Sequence, residues 1–118
     1  MIEGIPIGAA TIKAALITNS SRSIVNLILK KFKLKKYFDA IVTMEDVKRR
    51  KPAPDSVLKA CRLLNVKPKD AILIGDTEND MIAGKRAGCA TVGYKIRGDF
   101  RIKNLKDILK LISSNRNI

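Results

Sequence analysis

Apolar residues fall in short runs along the chain, each closed by polar or small residues and followed by a stretch with helical spacing. The run at 14–17 ends in Thr18-Asn19-Ser20-Ser21-Arg22. Ile24, Leu27, Ile28 and Phe32 then recur at the three-and-four spacing of an amphipathic helix, which Ser20 or Ser21 is placed to cap. A second run, 40–44, leads into a loop at 45–55. There Pro52 and Pro54 open a helix through Val57, Leu58, Cys61, Leu63 and Leu64. After the turn Val66-Lys67-Pro68-Lys69-Asp70 comes the run 72–74, which ends in Gly75-Asp76 and passes at once into helical spacing as far as Gly88. Residues 89–93 predict a further strand, 100–102 a brief pairing, and Leu105, Ile108, Leu109 and Ile112 a closing helix before a frayed tail at 113–118. Residues 1–13, broken by Gly4, Pro6 and Gly8, fit neither pattern. This alternation predicts an α/β fold, a Rossmann-like, mainly parallel sheet flanked by helices, as one domain over 1–118 with 1–13 as an atypical N-terminal segment.

Composition narrows the chemistry. The 118 residues include no histidine, which removes imidazole bases, Ser-His-Asp and Cys-His systems and imidazole metal sites. Cys61 and Cys89 form no C-x-x-C and are expected to be buried apolar cysteines. A net charge of +13 predicts weak affinity for polyanions at low salt. With 4% aromatic residues, no Trp and no nucleic-acid-binding motif, specific nucleic-acid recognition is not expected. No apolar run approaches the roughly 20 residues that span a bilayer, and the first residues lack the pattern of a signal peptide, so a cytoplasmic protein is expected.

Three stretches carry candidate chemistry. Asp76 stands at the carboxyl end of a strand, and Asp80, four residues on, falls in the first turn of the next helix. Together they can seat a hard divalent cation such as Mg²⁺, or Asp80 can simply complement the helix dipole. The Thr18 hydroxyl and the amides after it lie at a strand end facing a helix N-terminus, a geometry that suits either phosphate or ordinary capping. Lys51 sits in a loop that Pro52 and Pro54 stiffen. In a parallel sheet all these strand ends open on one edge, so hydroxyl, ammonium and carboxylates can converge on a phosphate and a cation.

In this order the pieces resemble the haloacid dehalogenase-like phosphohydrolases, most closely their phosphoglycolate phosphatase-like branch. The matching stretches are Ile17-Thr18-Asn19-Ser20-Ser21-Arg22, Lys51-Pro52-Ala53-Pro54-Asp55 and Gly75-Asp76-Thr77-Glu78-Asn79-Asp80-Met81 with Ala83-Gly84 and Ala87-Gly88. The resemblance implies that Thr18 and the Asn19 amide bind the phosphoryl group of a phosphate ester. It makes Lys51 the catalytic cation on its oxygens, Asp76 a Mg²⁺ ligand, and Asp80 a residue that completes or orients the metal shell.

The resemblance also exposes a gap. The family's first strand ends in D-x-D, whose first Asp attacks phosphorus and whose second is the acid/base. Before Thr18 this chain has one carboxylate, Glu3, which follows no apolar run, and no cap sequence. Arg50 stands where many relatives have Gly, which affects loop shape. In the family that first strand is central, between the strands here ending at Thr18 and Asp76. Those two must pair directly, accept residues 5–12 as a substitute, or expose edges that seek another chain. The expectation is therefore a phosphatase core acting as a C-terminal part, inactive alone, completed by a homo-oligomer or a complementing N-terminal chain. The alternatives are a catalytically dead module that binds Mg²⁺ and phosphate, and a basic interaction protein.

Overall fold

The computed structural model describes residues 2–3, 13–104 and 106–107. Strands β2 (Ala15–Ile17) and β3 (Ala40–Val42) pair in parallel as one two-stranded sheet. Strands β4 (Ala71–Gly75), β5 (Ala90–Tyr94) and β6 (Phe100–Ile102) form a second parallel set, and β1 (Ile2–Glu3) adds to β4 on its other side, antiparallel, with Ile2 opposite Ile72 and Glu3 opposite Ala71. Among the described residues the Rossmann-like parallel arrangement is present as two separate sets of strands. The strands that end at Thr18 and at Asp76 do not pair with each other. The substitute segment 5–12 and most of the closing helix and tail, Leu105 and 108–118, lie outside the described residues.

Helices hold the two sheets side by side. Helix α2 (Asp55–Leu64) packs on β2 and β3, α3 (Glu78–Ala87) packs on β4 and β5, and the two helices pack on each other. Val42, Val57, Ala60, Leu64, Leu73 and Ala83 meet in the shared core, each at most 3% exposed. The approach of α3 to its sheet depends on Gly84, where a Cβ would stand 2.6 Å from Leu73 Cδ2 and 2.8 Å from Thr91 Cγ2. Helix α3 stops at Gly88, whose φ of 95° suits glycine. Cys61 and Cys89 are both buried in this core with no disulfide between them, and the neighbouring Cys61 together with burial pushes the Cys89 thiol up. That makes Cys89 a poor nucleophile, in line with a packing role.

Helix α1 (Arg22–Lys31) departs from the sequence pattern. It begins where expected, with Ser21 as the cap accepting from the Ile24 N–H. Yet Val25 and Leu29 are its buried residues, while Ile24, Leu27, Ile28 and Phe32, the positions that marked an apolar face, are all exposed.

Candidate active site

Lys51 is placed by its loop. An ion pair between Arg49 and Asp55 (2.9 Å) and a turn closed by Ala53 N–H on the Arg50 carbonyl (3.0 Å) bracket it, and the Lys51–Pro52 peptide is cis. The side chain runs inward, and its Nζ donates to Asp80 Oδ1 at 2.6 Å and to the Ile17 carbonyl at 3.4 Å. Both side chains of this pair are nearly buried, 10% exposed for Lys51 and 11% for Asp80. An ammonium has three protons, so one donor remains.

Asp80 is held from the other side by the cap of α3. Thr77 donates its amide (3.2 Å) and its hydroxyl (2.8 Å) to Asp80 Oδ2, and its hydroxyl oxygen accepts from the Asp80 N–H (3.2 Å). This is a capping box, and the Thr77-x-x-Asp80 spacing was the signal in the sequence that could have found it. Burial raises the Asp80 pKa, but the Lys51 ammonium and the Thr77 hydroxyl outweigh it and hold the carboxyl below its ordinary value. Close approach requires Gly75: a Cβ there would meet Asp80 Cβ at 2.4 Å.

Thr18 follows β2, whose end is pinned by the Thr18 N–H on the Val42 carbonyl at 3.0 Å. Its Oγ1 accepts the Ser20 N–H at 3.1 Å, which leaves the hydroxyl proton free to donate outward. Other amides at this helix start are engaged: Arg22 N–H goes to Glu45 Oε1 (3.2 Å) and Ile24 N–H to Ser21 Oγ. The Asn19 amide has no acceptor among the described residues. Asp76 is exposed, and its carboxylate likewise makes no hydrogen bond or ion pair among them.

Thr18, Asn19, Lys51, Asp76 and Asp80 all line one cavity of about 520 Å³ between β2 and β4, with Leu16, Ile17, Phe38, Leu73 and Ile74 as its apolar walls. Thus every residue singled out in the sequence reaches the same site. The Ile17 carbonyl and Phe38 join it unannounced, because neither backbone direction nor a ring arriving from another loop leaves a mark in the residue pattern. A larger cavity of about 680 Å³ lies beyond α3, against Met81, Ile82, Ile96 and Arg97, and holds none of the candidates.

The donor set fits Mg²⁺ at one position. No group of three carboxylate, thiolate or imidazole side chains comes together among the described residues. Asp80 spends its oxygens on Lys51 and Thr77, so Asp76 is the carboxylate on offer. One carboxylate suffices when water and phosphate oxygens complete the octahedron.

The family model of haloacid dehalogenase-like hydrolases matches residues 6–94. The pyrophosphatase PpaX of Bacillus thuringiensis is 34% identical over 112 residues, covering 86% of this chain and 52% of its own length. Among solved structures, a predicted phosphoglycolate phosphatase from Haemophilus somnus superposes with a TM-score of 0.78 at 28% identity, over 84% of this chain and 49% of the other. CbbY of Rhodobacter sphaeroides, solved in complex with phosphate, gives 0.71 at 25% identity, over 78% and 46%. The chain thus spans about half the length of the relatives it matches.

Proposed function

Since this chain belongs to the haloacid dehalogenase-like hydrolase family, we propose that it is the phosphoryl-binding core of a phosphatase acting on phosphate esters, and that it needs a nucleophile from outside the described residues. The observation that carries the reading is the buried Lys51 ammonium. It is fixed by Asp80 and the Ile17 carbonyl with one donor to spare, at a cavity it shares with Thr18, the Asn19 amide and Asp76. Phosphate is the ligand of CbbY, whose fold this chain shares, and that supports a phosphoryl group here.

In this reading the Thr18 hydroxyl and the Asn19 amide donate to two phosphoryl oxygens, and Lys51 neutralises a third as charge develops. Asp80 is a positioning residue that aims Lys51. Asp76 would hold Mg²⁺, which when bound would offset charge on the same oxygens. The backbone of Glu3 pairs with Ala71, at the start of β4, while the site lies past Gly75, four residues or about 13 Å away along the strand. Neither cysteine is in a disulfide, as a reducing cytoplasm keeps thiols, and no helix among the described residues is long and apolar enough to cross a membrane. We place the protein in the cytoplasm.

Calorimetric titration of the chain with inorganic phosphate, with and without Mg²⁺, tests the site. Binding should weaken at least tenfold in Lys51→Met, and Asp76→Asn should abolish its Mg²⁺ dependence. Equal binding by wild type and Lys51→Met would end the assignment. A Mg²⁺-dependent turnover of p-nitrophenyl phosphate by the chain alone, lost in Asp76→Asn, would show that the nucleophile lies within this chain.

A further inference from the structure

We propose that the cavity of about 680 Å³ beyond α3 is a binding site for a free α-amino acid with a large apolar side chain, its head held between Glu78 and Arg97 and its body laid on Met81, Ile82 and Ile96. The inference stands apart from the phosphoryl reading, since none of that site's candidate residues lines this cavity.

Two walls build the cavity. Strands β4 and β5 are parallel and joined by α3, so α3 runs back against both, with its first turn at the edge where the strands end. One stripe of the helix carries Glu78, Met81, Ile82 and Lys85 at three-and-four spacing, and these are the helix residues that line the cavity. The other wall is the connection from β5 to β6. Because β6 is parallel to β5 with Val92 opposite Phe100, residues 95–99 fold straight back over the strand they have just left. The reversal starts at Lys95, whose φ is 61° and whose N–H donates to the Ile102 carbonyl at 2.8 Å. Gly93 gives it room, since a Cβ there would stand 2.2 Å from the Ile96 carbonyl oxygen. Gly98 then brings the loop onto the helix, where a Cβ would lie 2.8 Å from Met81 Sδ.

The far end of the cavity is closed. Asp99 accepts the Thr91 N–H through Oδ2 at 2.9 Å and pairs with Lys85 through Oδ1, and Thr91 Oγ1 accepts the Asp99 N–H at 3.0 Å. The charges of Lys85 and Asp99 therefore offset each other. Those of Glu78 and Arg97 do not: neither side chain has a hydrogen-bond or ion-pair partner among the described residues. Glu78 lies in the first turn of α3, two helical turns or about 10 Å from Lys85. Arg97 precedes Gly98 and Asp99 on the returning loop, so the two unpaired charges stand at the mouth, one on each wall. Below them, buried Met81 and half-buried Ile82 and Ile96 form an apolar floor. The occupant that matches this layout has opposite charges side by side at one end and an apolar body at the other. A free apolar amino acid carries its ammonium and carboxylate on a single carbon. The Arg97 guanidinium takes the carboxylate, Glu78 takes the ammonium, and the side chain displaces water from the floor. A polypeptide in mid-chain has neither head group, and it would need a second exit where the Lys85–Asp99 pair closes the cavity.

The test is a titration of the full chain with L-phenylalanine followed by two-dimensional amide NMR, beside parallel titrations with phenylpropionate, phenethylamine and glycine. These analogues lack, in turn, the ammonium, the carboxylate and the apolar body. We expect saturable shifts at Met81, Ile82 and residues 96–99 with L-phenylalanine, and binding at least about tenfold weaker for each analogue. Glu78→Gln should weaken L-phenylalanine at least about tenfold without weakening phenylpropionate, and Arg97→Met should do the same without weakening phenethylamine. Both side chains are exposed, so both variants should fold as the parent does. No shift up to about 10 mM L-phenylalanine, shifts confined to other residues, phenylpropionate or phenethylamine binding as tightly as the amino acid, or indifference to both substitutions would each overturn the proposal.

Discussion

Each oxygen of the Asp80 carboxylate has its own partners, Lys51 for Oδ1 and the Thr77 hydroxyl and amide for Oδ2. Removing one charge from a pair this deep leaves the Lys51 ammonium buried without a counter-charge, so Asp80→Asn should cost about 3 kcal/mol in urea unfolding. The same carboxyl sets part of the acid limb. The amide of Thr43 holds Asp46 low and the Lys85 ammonium holds Asp99 low, as Lys51 and Thr77 do for Asp80 against its burial. A carboxyl whose folded pKa lies below its unfolded value contributes stability that is full above the unfolded value and is lost as pH falls through the folded one. The urea midpoint should therefore stay level from about pH 7 to 5 and drop below about pH 4, with a shallower drop in Asp80→Asn. A midpoint that is flat to pH 2 would show that these carboxyls titrate alike in both states. Gly75→Ala tests the contact from the backbone side. Its Cβ would lie 2.6 Å from Asp80 Oδ2, and overpacking of this kind costs about 1–3 kcal/mol. Phosphate affinity should fall with it, because Asp80 can no longer aim Lys51. Unchanged affinity in a folded Gly75→Ala protein would separate Asp80 from the positioning of Lys51.

Helix α1 is where the elements and the sequence pattern part. Leu29, 4% exposed, should cost about 2–4 kcal/mol as Leu29→Ala. Leu27→Ala, at a position 68% exposed, should stay within about 0.5 kcal/mol in the isolated chain. The reverse order in chemical denaturation would mean that the stripe of Ile24, Leu27, Ile28 and Phe32 is the buried one. Periodicity finds an apolar face but not what covers it, and here the stripe reads as core in the sequence and lies at the surface in the structure. The strand runs behaved differently. The runs at 14–17, 40–44, 72–74 and 89–93 each became a strand at nearly those residues, since a short apolar run closed by Thr18, Thr43 or Gly75-Asp76 leaves few other options. The convergence of the candidate residues was legible for the same reason: Thr18, Lys51 and Asp76 follow or face strand ends, and a parallel sheet brings such ends to one edge. What stayed hidden is non-local. The separate pairing of β2 with β3, the antiparallel addition of Ile2–Glu3 at Ala71 and Ile72, and the choice of Asp80 for Lys51 over Asp76 each depend on residues far apart in the chain. No window of sequence contains that information.

For the molecule as a whole, charge is the largest unbalanced quantity. Lys and Arg number 24 against 11 Asp and Glu, and the ion pairs among the described residues, Arg22–Asp46, Arg49–Asp55, Lys51–Asp80 and Lys85–Asp99, engage four of those cations. Except for Lys51–Asp80, these pairs have a partner at or above 40% side-chain exposure, where a pair is worth at most about 1 kcal/mol and salt erodes it. Repulsion among the remaining cations acts across the whole surface, and salt screens it beyond about 10 Å at 0.1 M. The two effects oppose each other, and the surplus of unpaired cations decides the sign. Raising NaCl from about 50 to 300 mM should increase the Tm of the isolated chain, and over the same range any retention on heparin or double-stranded DNA should vanish without sequence preference. A Tm that falls with salt would mean that the four pairs outweigh the repulsion. The surface would then be ordered by local contacts rather than by its net charge.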